Sequence, residues 1–267
     1  MAKRKNTGRR HPLAAAALLI LGLVAVGGVY TAVDQAADAN TTTQTSAMAL
    51  TAEDGEQLYM ANCATCHGVD AVGTEYGPTL VGVGPASVNF QVMTGRMPMA
   101  FSGPQADQRA VQFTQEQSDA MGLYVQSLGA GPERPDAEWL DTSATGVNVA
   151  AGAEIFRVNC AMCHNAAAAG GALTEGKFAP HLQGIQADHI YEAMLTGPQN
   201  MPVFNDMNIT PEEKRNVIAF LHYMDENPSV GGFDLGSLGP VSEGLFIWIF
   251  GLGGIVAMTI WLTSRPN

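Results

Sequence analysis

Positive charge is scarce in this sequence and unevenly spread. Of 267 residues only 13 are Lys or Arg, and five of these (Lys3, Arg4, Lys5, Arg9 and Arg10) fall in the first ten positions. Charged residues of both signs make up 14%, against about 25% in an average soluble chain. With a net charge of −12, the molecule is repelled by phosphates, which excludes a nucleic-acid binder. Cysteine is also rare, at four residues, which excludes a disulfide-knit miniprotein. Aromatics reach only 7%, yet hydrophobic residues as a whole reach 46%, which excludes a disordered acidic tail. The length fits one or two domains.

The acids are concentrated in the middle. From Asp34 to Ser242 there are 24 acids against seven bases, a formal charge of −17. The apolar residues gather at the ends instead. Leu13 to Val33 is an uncharged run of 21 residues directly after the basic head. A membrane helix needs about 20 apolar residues and a signal-peptide core about 7–15, so length favours a retained anchor. The small-residue pattern Ala37-Asp38-Ala39 points the other way, towards cleavage. Leu245 to Leu262 is a second uncharged run, of 18 residues, with Trp248 and Trp261 near its two ends. Apolar all round and flanked by interfacial tryptophans, it reads as a membrane helix. The positive-inside rule then keeps the basic head cytoplasmic. Two spans return Arg265 to the same side and leave residues 34–242 on the extracytoplasmic side.

All four cysteines fall in one pattern used twice: Cys63-Ala-Thr-Cys66-His67 and Cys160-Ala-Met-Cys163-His164. C-x-x-C-H is the attachment signature of c-type haem. Two thiols three positions apart can each form a thioether with a haem vinyl group, and the histidine that follows lies beneath the iron as its proximal ligand. A thioredoxin-like site would need a βαβ context, which is missing here. A Cys₄ zinc knot would need the two pairs together, but they stand 97 residues apart.

The surroundings of the cysteines repeat as well. Gly55, Leu58, Tyr59, Asn62 and Cys63 match Gly152, Ile155, Phe156, Asn159 and Cys160 at a constant offset of 97. Further on, Pro78, Leu80 and Gly82 match Pro180, Leu182 and Gly184, and Met97-Pro98 matches Met201-Pro202. Thr114-x-x-Gln117 and Thr210-Pro-Glu-Glu213 have capping-box spacing and open a closing helix in each unit. The expected plan is a cytoplasmic head over 1–12, a transmembrane helix or signal anchor over 13–33 and a linker over 34–49. A first haem domain then spans 50–131, a linker 132–145 and a second haem domain 146–228. A linker over 229–242, a membrane helix over 243–263 and a tail over 264–267 complete it. No alternating strand pattern occurs anywhere.

The iron needs a sixth ligand or an open site. Met97 and Met201 lie 30 and 37 residues after their histidines, each followed by Pro, and occupy matching places in the repeat. Methionine ligation raises the reduction potential and leaves no room for a substrate. Met99 is the rival to Met97. His181, His189 and His222 have no histidine at the matching first-repeat positions and read as surface or core residues. Arg96 is a candidate neutraliser of a haem propionate.

On these residues each unit resembles a class I cytochrome c domain. The whole order resembles the dihaem cytochrome cc subunit family of the actinobacterial menaquinol–cytochrome c reductase, a cytochrome bc complex. The resemblance implies a mainly α fold, with two tandem class I cytochrome c domains flanked by N- and C-terminal transmembrane helices. It implies two covalently bound haem c groups held by Cys63, Cys66, Cys160 and Cys163. Their irons would be ligated by His67 and Met97 and by His164 and Met201. As partners it implies a Rieske iron–sulfur subunit, a cytochrome b subunit and a haem–copper terminal oxidase. The chain would relay electrons from the first of these to the last, as a redox subunit that handles no small-molecule substrate itself. Two alternatives stay open: a dihaem electron-transfer subunit of another membrane dehydrogenase or oxidase, and a dihaem peroxidase-type enzyme.

Overall fold

The computed structural model describes residues 16–24, 26–28, 50–101, 103–227 and 240–264. Helix caps set the frame of both halves. Thr51 opens helix α1 (Ala52–Asn62) with a capping box closed by Asp54, and Cys63 ends it. The same residue starts the one-turn helix α2 (Ala64–His67), so the C-x-x-C-H segment is a continuation of α1 bent at its first cysteine. Helix α3 (Gly84–Met93) has Pro85 in its first turn, where the missing N–H costs nothing. Helix α4 (Gln115–Leu128) opens on the expected Thr114–Gln117 capping box.

The second half follows the same plan. Asn148 caps α5 (Val149–Asn159), Cys160 leads into α6 (Ala161–His164), and α7 (Ala187–Thr196) corresponds to α3. Helix α8 (Pro211–Glu226) opens on the Thr210–Glu213 box with Pro211 in the first turn.

In each half the first and last long helices cross closely, and a glycine makes this possible. A Cβ on Gly55 would collide with the Ala120 carbonyl of α4, and one on Gly152 with the Asn216 carbonyl of α8. Beside each crossing sits an aromatic pair. The Tyr59 and Tyr124 rings lie 5.2 Å apart, and the Phe156 and Phe220 rings 5.5 Å apart. The two cores grow from these pairs: Tyr59, Ala71, Tyr124 and Val125 in the first half, and Phe156, Ile190, Met194, Ile218 and Leu221 among others in the second.

Three features lie beyond the sequence reading. A short antiparallel ladder pairs β1 (Gly171–Ala172) with β2 (Phe178–Ala179), two residues each and too short to leave an alternating pattern. The Gly- and Pro-rich stretch after α4 connects the halves but is itself packed. Pro132 accepts from Ala86 N at 3.1 Å, and Arg215 stacks on the Trp139 ring at 5.5 Å. The halves also touch directly through α3 and α7, where Asn89 donates to both carboxylate oxygens of Glu192 at 2.9 and 2.8 Å.

Val241–Thr263 forms a 23-residue helix of mean hydropathy 2.2, long and apolar enough to cross a membrane, with a wider π turn at Ile247–Leu252. At the other end an apolar helix covers Ala16–Gly28, shorter than a span of about 20 residues. The rest of the expected 13–33 helix lies outside the described residues, as do the basic head, Ala37-Asp38-Ala39, the 34–49 linker and residues 229–239.

Candidate functional site

One helical turn places residues three apart on the same face, which is why α2 and α6 present their cysteine pairs together. Cys63 is half-buried and Cys66 exposed; Cys160 is buried and Cys163 half-buried; no disulfide joins any of the four. Burial pushes the Cys63 and Cys160 thiols up to about 11. Each histidine that follows is buried, at 8% exposure. Its ring is held in the same way in both halves. Nδ1 of His67 donates to the Pro78 carbonyl at 2.7 Å, and Nδ1 of His164 donates to the Pro180 carbonyl at 2.9 Å. A carbonyl can only accept, so Nδ1 carries the hydrogen and Nε2 keeps its lone pair for a metal. Burial holds the His164 pKa down, against the pull of its Pro180 bond. The prolines that the repeat singled out therefore act through their carbonyls.

In front of His67 lies a cleft of about 250 Å³. Its walls include Tyr59, Cys63, Val88, Met97 and Val125. Met97 is thus in the same cavity as His67, whereas Met99 is not among the lining residues and is 39% exposed. The Tyr59 hydroxyl is tied to the Gly68 carbonyl at 2.6 Å, and burial pushes its pKa to about 12, so it stays neutral. Phe156 stands in the matching place of the second half and makes no such bond. The Gln91 Oε1 atom at the cleft is buried without a hydrogen-bond partner.

The donor set fits a covalently held haem. Two thiols stand one turn apart, an imidazole is fixed in a single tautomer, and a thioether shares its mostly apolar cleft. It does not fit a zinc knot, since among the described residues no group of three or more His, Cys, Asp or Glu converges. In the second half Met201 packs against the core around Phe156 and Cys160. The loop after it is secured by Lys214, fully buried, which donates to Asp206 at 2.5 Å and to the Ile209 carbonyl at 2.9 Å.

The remaining candidates lie elsewhere. His181, His189 and His222 do not line the cleft. Nε2 of His222 sits 3.3 Å from the Ile185 carbonyl, and burial pushes the His189 pKa down. Arg96 is 9% exposed, with its guanidinium over the Phe90 ring at 5.0 Å, and burial lowers its pKa. Sequence reasoning missed Lys214, Asn89 and Glu192. A charged residue near a helix end carries no sign that it is buried, and a contact spanning 103 residues leaves no local pattern.

The family described as "Cytochrome C oxidase, cbb3-type, subunit III" matches twice, over residues 50–124 and 147–221. The Corynebacterium efficiens cytochrome bc1 complex cytochrome c subunit is 42% identical, covering 98% of this chain and 93% of its own length. The subunit of the same name from Mycobacterium tuberculosis strain H37Rv is 38% identical, covering 96% and 92%. A cbb3-type cytochrome c oxidase subunit FixP from Sinorhizobium medicae is 34% identical over 95 residues, 30% of this chain and 32% of its own. Two matched segments carrying the same histidine-to-proline-carbonyl bond, and relatives aligned nearly end to end, lead to one conclusion: the chain belongs to the family of cytochrome c subunits of the actinobacterial cytochrome bc1 complex.

Proposed function

We propose that this chain is a membrane-anchored dihaem cytochrome c subunit of a respiratory quinol–cytochrome c reductase. It relays electrons from a Rieske iron–sulfur protein to a haem–copper terminal oxidase. The observation that carries the reading is the twinned histidine geometry, with His67 on Pro78 at 2.7 Å and His164 on Pro180 at 2.9 Å, each directly after a C-x-x-C pair. Cys63 and Cys66 hold one haem and Cys160 and Cys163 the other. With haem bound, His67 and Met97 would ligate the iron of the first, and His164 and Met201 that of the second. The bound haem supplies a one-electron Fe(III)/Fe(II) couple.

The chain's own residues do the rest. The proline carbonyls orient the imidazoles, the methionine thioethers would leave no position on a bound iron open to substrates, and the apolar walls keep water away. The domains occupy 50–131 and 146–228 and stand on the extracytoplasmic side. Helices at 13–33 and 243–263 anchor them, with both termini cytoplasmic. Membership of a bc1 complex, the name carried by the relatives, supports a cytochrome b subunit and a Rieske subunit as neighbours.

Purification in mild detergent through a tag after Asn267 tests this reading. Haem b, a Rieske centre and haem a are expected to travel with the chain. Haem c alone, or a flavin or molybdenum subunit in their place, refutes it.

A further inference from the structure

The cleft in front of His67 is not built by the first domain alone. Thr196, Gly197, Pro198 and Gln199 of the second domain form part of its wall. This turn leaves the end of α7, and its shape is tightly constrained. Gly197 sits at φ +61°, where a Cβ would press on the Met201 carbonyl oxygen and on Val203. The Met201 N–H donates back to the Pro198 carbonyl at 3.0 Å.

The helix behind the turn is clamped to the first domain. The Glu192 carboxylate, with no exposed surface, accepts two bonds from Asn89 on α3 and a third from Arg134 Nε at 3.0 Å. Arg134 belongs to the connecting stretch and also reaches Asp119 at 2.8 Å and Asp188 at 3.4 Å. A second tie lies elsewhere. The Gln105 side-chain amide donates to the Phe178 carbonyl and accepts from the Phe178 N–H, both at 2.9 Å. Buried, hydrogen-bonded groups of this kind resist separation, because pulling them apart strands polar atoms.

We propose that the Thr196–Gln199 turn of the second domain is a working wall of the first domain's haem cleft, excluding water from it, and that Glu192 is the positioning residue that seats this wall. The inference rests on reading the cleft as a haem site. Solvent exclusion disfavours the more positively charged ferric state, so a seated wall raises the reduction potential of the first haem. The first haem is thereby tuned by a domain to which it is not attached.

The test uses the full-length, haem-loaded chain in detergent, with two midpoints resolved by potentiometric titration. Met97→His identifies the first-domain midpoint by displacing it. Glu192→Ala should shift that midpoint downward. Gln199→Asp, at an exposed wall position whose positive φ an Asp tolerates, should do the same without disturbing the clamp. A third readout needs no haem in the first cleft: in Cys63→Ala/Cys66→Ala, amide hydrogen exchange at Thr196, Gly197 and Gln199 (Pro198 has no amide hydrogen) should quicken. An unmoved first midpoint in a folded Gln199→Asp protein, or unchanged exchange at 196–199, overturns the proposal. Haem c counted by pyridine haemochrome at fewer than two per chain overturns instead the reading on which it stands.

Discussion

Lys214 and Asp206 form a contact of 2.5 Å in which the ammonium is fully buried while the carboxylate is half open to water. The same ammonium reaches the Ile209 carbonyl and lies 5.3 Å from the Tyr191 ring centre. Both acceptors belong to the loop that follows Met201, so one cation on α8 gathers that segment. Lys214→Met keeps the volume and removes the donors. It should cost about 1–3 kcal/mol of stability. It should also weaken the methionine–iron charge-transfer band of one haem while leaving the other intact. A full band in the folded variant would show that the loop holds its place without the clamp.

Met97 and Met99 make a clean pair. Because Met97 shares the cleft with His67 and Met99 is exposed, Met97→Ala should abolish the methionine band of the first haem and lower its potential. Met99→Ala should leave both unchanged. Reversed effects on the optical spectrum would move the ligand two residues along.

The helix crossings are intolerant of bulk. Gly152→Ala places a methyl against the Asn216 carbonyl, and Gly55→Ala places one against Ala120, with backbone rather than a flexible side chain in the way. Each should destabilise its domain by about 1–3 kcal/mol or more. For a molecule of this size that lowers the melting temperature by about 2–4 °C per kcal/mol. Melting followed by circular dichroism measures it, and an unchanged melting point would mean the helices part without strain.

Docking of the two domains should depend on pH. Burial pushes the Glu192 carboxyl up to about 7, against the pull of Asn89 and Arg134 and with Asp188 adding to the rise. A carboxyl whose pKa is higher when docked holds its proton more tightly in that state. The stabilisation is therefore full below its ordinary value near 4.5 and is lost as pH rises through 7. The melting midpoint should fall between about pH 5 and pH 8, and Glu192→Gln should flatten that dependence. An identical slope in the variant would assign the dependence to other groups.

The sequence displays most of the haem-site geometry because the chain contains it twice. Gly55 with Gly152, Pro78 with Pro180, and Met97 with Met201 stand out by alignment of one half on the other; the glycines sit at close helix crossings, the proline carbonyls accept from the histidines, Met97 lines the cleft and Met201 packs against the second core. Residues present in only one half had no such partner. Asn89 aligns with Tyr191 and Glu192 with Phe90, so the clamp between the domains breaks the repeat that revealed the paired histidines and glycines. Tyr59 and Phe156 align as aromatics, and only the structure shows that the hydroxyl of the first is tied to Gly68. The stretch after α4 reads as a linker from its Gly and Pro content. Those same residues permit the tight packing of Gly131 and Pro132 against Gly84.

The Gln105 amide meets Phe178 as a second strand would, giving one donor and one acceptor to its backbone. Nothing in that contact reads the phenyl ring, which is 44% exposed. Position 178 is therefore free to vary among side chains without loosening the joint between the domains, with proline the exception, since it alone deletes the N–H. Position 105 has less freedom, because a side-chain amide reaches the Phe178 backbone with a donor and an acceptor on separate atoms, a pairing few other side chains of that length offer. Two residues that touch at 2.9 Å are thus under opposite mutational constraint.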